Sequence, residues 1–391
     1  MLTSLALIFL LGLALGSIFN KFRLPSLLGM LLTGIILGPY ALNLLDDSIL
    51  SISGDLRQIA LVIILTRAGL ALNMADLKKV GRPAILMCFV PALFEIVGIV
   101  LIAPKLLGIS VLDAAIMGTV VAAVSPAVIV PRMLKLMEEG YGANHSIPQL
   151  IMASASVDDV FVIVLFTSFT ALADGGSFSA LSLIQIPLSI LLGLVLGIIT
   201  GLILMTLFKR MHMRDSTKTI VLLSTSFLLI ALEKSLEGAV PISGLLAIMS
   251  MSATILQKHD ILAKRLSGKF SKLWVGAEIL LFVLVGATVD IEYALSAGAL
   301  AILVILAALL FRMTGVFICL LKTSLSLKER VFCVLAYMPK ATVQAAIGSI
   351  PLAMGLGCGQ IVLTVAVLAI LITAPLGALG IDLTYEKLLN T

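Results

Sequence analysis

An all-α polytopic membrane protein of about thirteen transmembrane helices is the fold class this sequence predicts. Three observations carry that reading. Of 391 residues, 61% are hydrophobic and only 12% charged, with a mean hydropathy of +1.21, a balance foreign to soluble domains. Apolar runs long enough to span a bilayer recur from end to end. The connections are short, the longest being the 16 residues 257–272, too few for an extramembrane domain.

The runs fall at 2–19, 26–45, 58–73, 83–103, 111–131, 148–173, 180–208, 218–236, 239–256, 273–289, 294–321, 330–350 and 360–380. The first carries Lys21 and Arg23 on the wrong side for a signal peptide and lacks a small-residue cleavage site, so it reads as a helix. The third is short by hydropathy alone. The glycine-rich stretches 29–38 and 193–201 permit close helix contact. Of the 26 Lys and Arg, 19 lie in or beside loops that follow odd-numbered runs and 3 beside loops that follow even-numbered ones. That bias places the N-terminus outside and the C-terminus in the cytoplasm of a cell membrane. It also accounts for the net charge of +5, so a nucleic-acid partner is not implied.

Two runs are interrupted in matching ways. The fifth contains Ala123-Val124-Ser125-Pro126 and then Pro131; the twelfth contains Tyr337-Met338-Pro339-Lys340-Ala341-Thr342. Proline removes a backbone donor and clashes one turn back, so both helices should break and free backbone groups at membrane depth. Each broken run follows one with a single charge, Glu95 in the fourth and Arg312 in the eleventh. Runs 4–6 and 11–13 thus read as two copies of one unit in opposite orientation, an inverted repeat with two crossed discontinuous helices. The chain divides accordingly into helices 1–3 (1–82), helices 4–6 (83–173), helix 7 (180–208), helices 8–10 (218–289) and helices 11–13 (294–380).

The sixth run holds the feature that points to chemistry. Asp158 and Asp159 lie about 15 Å along a helix of roughly 39 Å, close to a bilayer midplane. Two carboxylates there are costly and repel each other, and intramembrane acids of this kind serve ions and protons. The pair differs by about 100° around the helix, so one carboxylate can receive an ion while its neighbour holds a basic partner. Burial and mutual repulsion disfavour the charged pair and a nearby cation favours it, so a proton and a metal cation compete for the same oxygens. The other intramembrane charges are Glu95 against Lys340, Arg312 and Arg67. One arrangement pairs Glu95 with Arg312 and Lys340 with Asp158, leaving Asp159 for the transported ion. Arg67 either joins this set or snorkels from a span end. Ser125 either offers oxygen to the ion or caps the helix that follows it.

The remaining reactive residues carry less. Cys88, Cys319, Cys333 and Cys358 show no metal-ligand or disulfide spacing and read as small packing residues. His145, His212 and His259 all lie in loops. Adjacent aspartates on one helix cannot face each other as an aspartyl protease requires, so no enzyme is expected.

The same residues carry a family resemblance. Val124-Ser125-Pro126-Ala127-Val128-Ile129-Val130-Pro131, Gly140-Tyr141-Gly142, Ser156-Val157-Asp158-Asp159 and Met338-Pro339-Lys340-Ala341-Thr342-Val343-Gln344-Ala345-Ala346-Ile347-Gly348-Ser349 resemble the NHA branch of the monovalent cation/proton antiporters. So do Arg67-Ala68-Gly69-Leu70 and Leu371-Ile372-Thr373-Ala374-Pro375. The resemblance implies the sodium/proton antiporter fold and exchange of Na+ or Li+ for H+ by an elevator-like homodimer without a cofactor. It implies that helices 4–6 and 11–13 form the moving core, helices 1–3 and 8–10 the dimer scaffold and helix 7 the linker. It makes Asp159 the main ion carrier, Asp158 the auxiliary carboxylate, Lys340 its basic neighbour, and Glu95 and Arg312 a pair across the core. The competing readings are a sodium-coupled solute symporter and a potassium/proton exchanger of the same fold.

Overall fold

The computed structural model describes residues 1–71, 81–174, 180–211, 213–236, 240 and 242–390, with backbone alone at 156, 174 and 180–187. His212, Lys78 and Lys79 lie outside the described residues. Regular structure among the described residues is entirely helical. In chain order the elements are α1 (Leu2–Lys21), α2 (Ser26–Leu37), α3 (Asp47–Ser51), α4 (Ser53–Ala71), α5 (Arg82–Met87), α6 (Val90–Leu107), α7 (Val111–Ala122), α8 (Pro126–Glu139) and α9 (Ile147–Asp174). There follow α10 (Ala180–Arg210), α11 (Asp215–Ser235), α12 (Gly244–Lys258), α13 (Asp260–Ala287), α14 (Ile291–Cys319), α15 (Leu327–Ala336), α16 (Thr342–Ile347), α17 (Ile350–Ala353) and α18 (Gly359–Leu388). Among the described residues nine helical spans are long and apolar enough to cross a bilayer.

Several boundaries differ from the hydropathy runs. The 257–272 connection is mostly helix, because α13 begins at Asp260. Its Leu262, Ala263, Leu266 and Phe270 are buried at helical spacing while Lys264, Arg265 and Lys269 between them are exposed, a pattern that mean hydropathy erases. The second run stops at Leu37, where Gly38 and Pro39 end α2. The fifth run continues to Glu139.

Both broken helices start from the same local device. Ser110 accepts the Asp113 N–H at 3.0 Å while the Asp113 carboxylate accepts the Ser110 N–H, and Ser326 and Glu329 repeat this reciprocal cap at α15. Glu329 also takes a 2.8 Å contact from His145. Burial alone would push its carboxyl up, but His145 and the Ser326 amide and hydroxyl hold it below the usual glutamate range.

The chain forms two compact units. One comprises Met1–Gly54, Asn73–Ile163 and Ile279–Thr391; the other Asp55–Leu72 and Val164–Glu278. In the first, α6 packs along α14 and against α7, and α18 touches α7, α14 and α15. Ile129, Met133 and Leu136, one face of α8, join Ile147, Leu150 and Ile151 of α9 and Phe332 and Ala336 of α15 in one core. Arg132 fastens α8 to the end of α18 through a two-pronged contact with Asp382 at 3.0 and 3.1 Å. In the second unit α10 lies on α12 with Gly193, Gly197 and Gly201 in the seam. A Cβ at Gly197 would sit 2.2 Å from the Ala247 carbonyl oxygen, so only glycine permits this approach.

Gly197→Val is expected to lower the thermal unfolding midpoint in detergent, at a cost of about 3 kcal/mol or more; an unchanged midpoint refutes the contact. The folded Glu329 carboxyl titrates below its unfolded value, so its stabilisation is full above the ordinary glutamate range and fades as pH falls through the lowered value. Glu329→Gln should therefore lower the midpoint at pH 7 by an amount that shrinks towards pH 3.

A buried charge cluster at two broken helices

Between α7 and α8 the residues Ala123, Val124 and Ser125 run extended, with Ala123 at φ −68°, ψ 141° and Ser125 at φ −94°, ψ 109°. Between α15 and α16 the break runs from Tyr337 to Ala341. The groups these breaks release find partners in a dense set of cross-contacts. The Ser125 N–H donates to the Pro339 carbonyl at 2.8 Å, tying one break to the other. The Val124 N–H donates to Asp158 Oδ2 at 2.9 Å. Gln344 Nε2 donates to the Val121 and Ala123 carbonyls at 3.0 and 2.8 Å, and the Lys340 N–H donates to Thr373 Oγ1 at 2.9 Å. Gly377 of α18 accommodates Pro339, whose ring carbon would lie 2.3 Å from a Cβ there.

The charges lie among these groups. Arg312 of α14 places Nη1 3.0 Å from Glu95 Oε2 and Nη2 3.0 Å from Asp158 Oδ2. Its Nη1 also donates to the Ala122 carbonyl and its Nε to the Tyr337 carbonyl at 2.8 Å. Lys340 Nζ contacts the same Glu95 oxygen at 2.5 Å. Each of these four side chains is at most 1% exposed.

The pairing of Lys340 with Asp158 expected from the sequence is not the one formed. Arg312 pairs with Glu95 as expected but takes Asp158 as well, and Lys340 goes to Glu95. The planar guanidinium fork reaches two carboxylates and two carbonyls at once, whereas the Lys340 ammonium reaches one carboxylate and, at 3.4 Å, the Ala122 carbonyl. Glu95 is thus shared by both cations.

Asp159, next to Asp158 on α9, makes none of these contacts. It is half-buried where Asp158 is fully buried, and its Oδ1 has no hydrogen-bond partner among the described residues. Asp158 Oδ1, Ser125 Oγ and Gln344 Oε1 are also buried and unpartnered. Ser125 precedes Pro126 as the cap residue of α8, yet its hydroxyl caps nothing. The N–H groups of Val128 and Ile129 go instead to the Ser125 main-chain carbonyl at 3.2 Å. No cluster of three or more His, Cys, Asp or Glu suited to a metal occurs among the described residues.

Three participants escaped the sequence reading. Tyr337, whose OH donates to the Met87 carbonyl at 3.1 Å and whose ring lies 5.0 Å from the Arg312 guanidinium, sits inside the recognised break motif. Gln344 and Thr373 stand inside motifs that carry the family resemblance, where they are polar residues in apolar runs with no role assigned. Glu278, inside the tenth run, is a further acid among the apolar spans, and it has Arg67 as its electrostatic neighbour in the second unit. Arg67 has no contact with the charge cluster among the interactions described. The four cysteines are buried and unlinked.

Comparison with known proteins decides the family. The sequence profile described as "Sodium/hydrogen exchanger, transmembrane" matches residues 5–387. The chain belongs to that transporter family. It is 35% identical over 384 residues to human sodium/hydrogen exchanger 9B2, covering 94% of this chain and 70% of that protein. It is 32% identical over 388 residues to human sodium/hydrogen exchanger 9B1, covering 94% and 73%. The structure of the sodium proton antiporter MjNhaP1 of Methanocaldococcus jannaschii at pH 8 superposes with a TM-score of 0.86 at 22% identity, covering 99% of this chain and 98% of that one, which shows the same all-helical multi-span fold.

Arg312→Met should leave Glu95 and Asp158 short of a cation and cost about 3–5 kcal/mol, read as loss of the detergent-stable monodisperse protein. Adding Glu95→Gln and Asp158→Asn to that variant should recover part of the loss. Equal stability of Arg312→Met and wild type would show that the cluster is not a structural keystone.

Proposed function

We propose that this chain is a secondary active antiporter that exchanges Na+ or Li+ for H+, the two ions competing for the aspartate pair. The observation that carries this reading is the division of labour within the pair. Asp158 is held by Arg312 and the Val124 amide, while the adjacent Asp159 is partly exposed and its Oδ1 has no hydrogen-bond partner among the described residues. A carboxylate so placed gains from binding either a proton or a cation, and cannot hold both. Membership of the family and likeness to exchangers 9B1 and 9B2 support the same substrates.

The charge count suggests the stoichiometry. Arg312 and Lys340 balance Glu95 and Asp158, so the cluster is neutral apart from Asp159. Occupied by one Na+ or one H+, the site carries no net charge; empty, it carries one negative charge at membrane depth. The neutral forms cross at low cost and the empty form does not, which is the condition for obligatory one-for-one exchange. If Lys340 stays bound to Glu95 through the cycle, no charge moves. In this reading helices 4–6 and 11–13 move as an elevator-type core against a scaffold of helices 1–3 and 8–10, joined by helix 7, in a homodimer. The positive-inside bias supports a cell-membrane protein with its N-terminus outside and its C-terminus in the cytoplasm.

In proteoliposomes of the purified chain, Na+-dependent proton flux should be abolished by Asp159→Asn and should not change with an imposed membrane potential. Flux that survives Asp159→Asn refutes the carrier role, and a rate that tracks voltage refutes electroneutral exchange. A series with K+ in place of Na+ and Li+ tests the potassium/proton alternative.

A further inference from the structure

We propose that Gln344 is a cation ligand and selectivity determinant of this exchanger, offering its amide oxygen from the second broken helix to an ion held at Asp159. The proposal rests on the antiporter reading above and deepens it.

Both hydrogens of the Gln344 amide nitrogen are committed, to the Val121 and Ala123 carbonyls at 3.0 and 2.8 Å. Those two acceptors fix which end of the amide is nitrogen, and the oxygen is therefore the free end. The side chain is 1% exposed, so Oε1 is a buried acceptor without a donor, an arrangement that proteins rarely retain for stability. A purely structural residue here needs only the donors. Ser125 Oγ, Asp158 Oδ1 and Asp159 Oδ1 are in the same condition.

These unpartnered oxygens belong to residues tied to one short stretch of chain. Gln344 holds Ala123, Val124 donates to Asp158, Ser125 is the next residue, and Asp159 follows Asp158. Amide, hydroxyl and carboxylate oxygens are the donor set of a hard cation, and protein donors that would otherwise satisfy them are absent among the described residues. The chemistry splits between them. A proton bound at Asp159 needs only one carboxylate oxygen, whereas a metal cation needs several ligands. Neutral oxygens such as Gln344 Oε1 therefore favour the cation, and discriminate among cations by size, without altering where the proton binds.

The test compares wild type, Gln344→Leu, Gln344→Glu and Asp159→Asn as full-length protein in proteoliposomes, with Na+ and Li+ titrated at several pH values. Thermal stabilisation by each cation in detergent gives a readout independent of transport. Gln344→Leu should raise the half-saturating Na+ concentration about tenfold, the scale on which supporting groups act at metal sites. It should also change the Li+/Na+ preference and weaken stabilisation by Na+. Gln344→Glu keeps an oxygen but adds a competing proton site, so Na+ binding should persist while the pH profile moves to higher pH. A folded Gln344→Leu protein with wild-type half-saturation and Li+/Na+ ratio overturns the proposal. So does one whose maximal rate alone falls, since that is the signature of a staple between helices. If Gln344→Leu does not fold, Gln344→Glu decides: an unmoved pH profile with unchanged cation dependence overturns the proposal. Loss of Na+-dependent flux in wild type, or its survival in Asp159→Asn, refutes the antiporter reading itself, so the two failures are distinguishable.

Discussion

One guanidinium holds the centre of this protein. Arg312 reaches Glu95 on α6, Asp158 on α9, the Ala122 carbonyl at the end of α7 and the Tyr337 carbonyl at the end of α15. Five donors in a rigid plane can serve acceptors that arrive from four directions; an ammonium cannot. With Lys340 added, two cations and two anions cancel in a region that excludes water. The breaks in both helices are sustained by this set, because each carbonyl and amide freed by Pro126 or Pro339 has to be met by something other than solvent.

That constraint explains why polar residues concentrate in so small a part of an apolar chain. Gln344 and Thr373 serve main-chain groups at the breaks, and Ser125 meets Pro339 through its backbone. What the network does not use is equally ordered: every unpartnered side-chain atom of Ser125, Asp158, Asp159 and Gln344 is an oxygen. In the proposed exchange, a site assembled from such surplus acceptors would suit a cation, with Asp159 as the carboxylate at which proton and metal alternate. Within the remainder of the network, Arg312 and the Val124 amide both hold Asp158 through Oδ2.

Much of this was legible in particular residues. Asp158 and Asp159 declared themselves by standing in an apolar run, and the prolines of Ala123-Val124-Ser125-Pro126 and Met338-Pro339-Lys340 marked the breaks to within a residue or two. The Ser110–Asp113 and Ser326–Glu329 spacings were available as capping signals at the start of each broken helix. Glu278 was visible too, inside a run whose hydropathy concealed it. The helical stretch from Asp260 was lost for the opposite reason, its charges lowering the average of an amphipathic surface.

From the chain alone came the membrane-spanning helical class, the paired breaks and the identities of the charges beside them, because burial cost and proline geometry act on residues one at a time. Only the tertiary structure decided who pairs with whom. Glu95, Arg312 and Lys340 stand far apart in sequence, and opposite charges in lipid attract without regard to order. Which carboxylate each cation takes depends on the reach of its side chain from a fixed backbone, and that is settled only when the two broken helices meet.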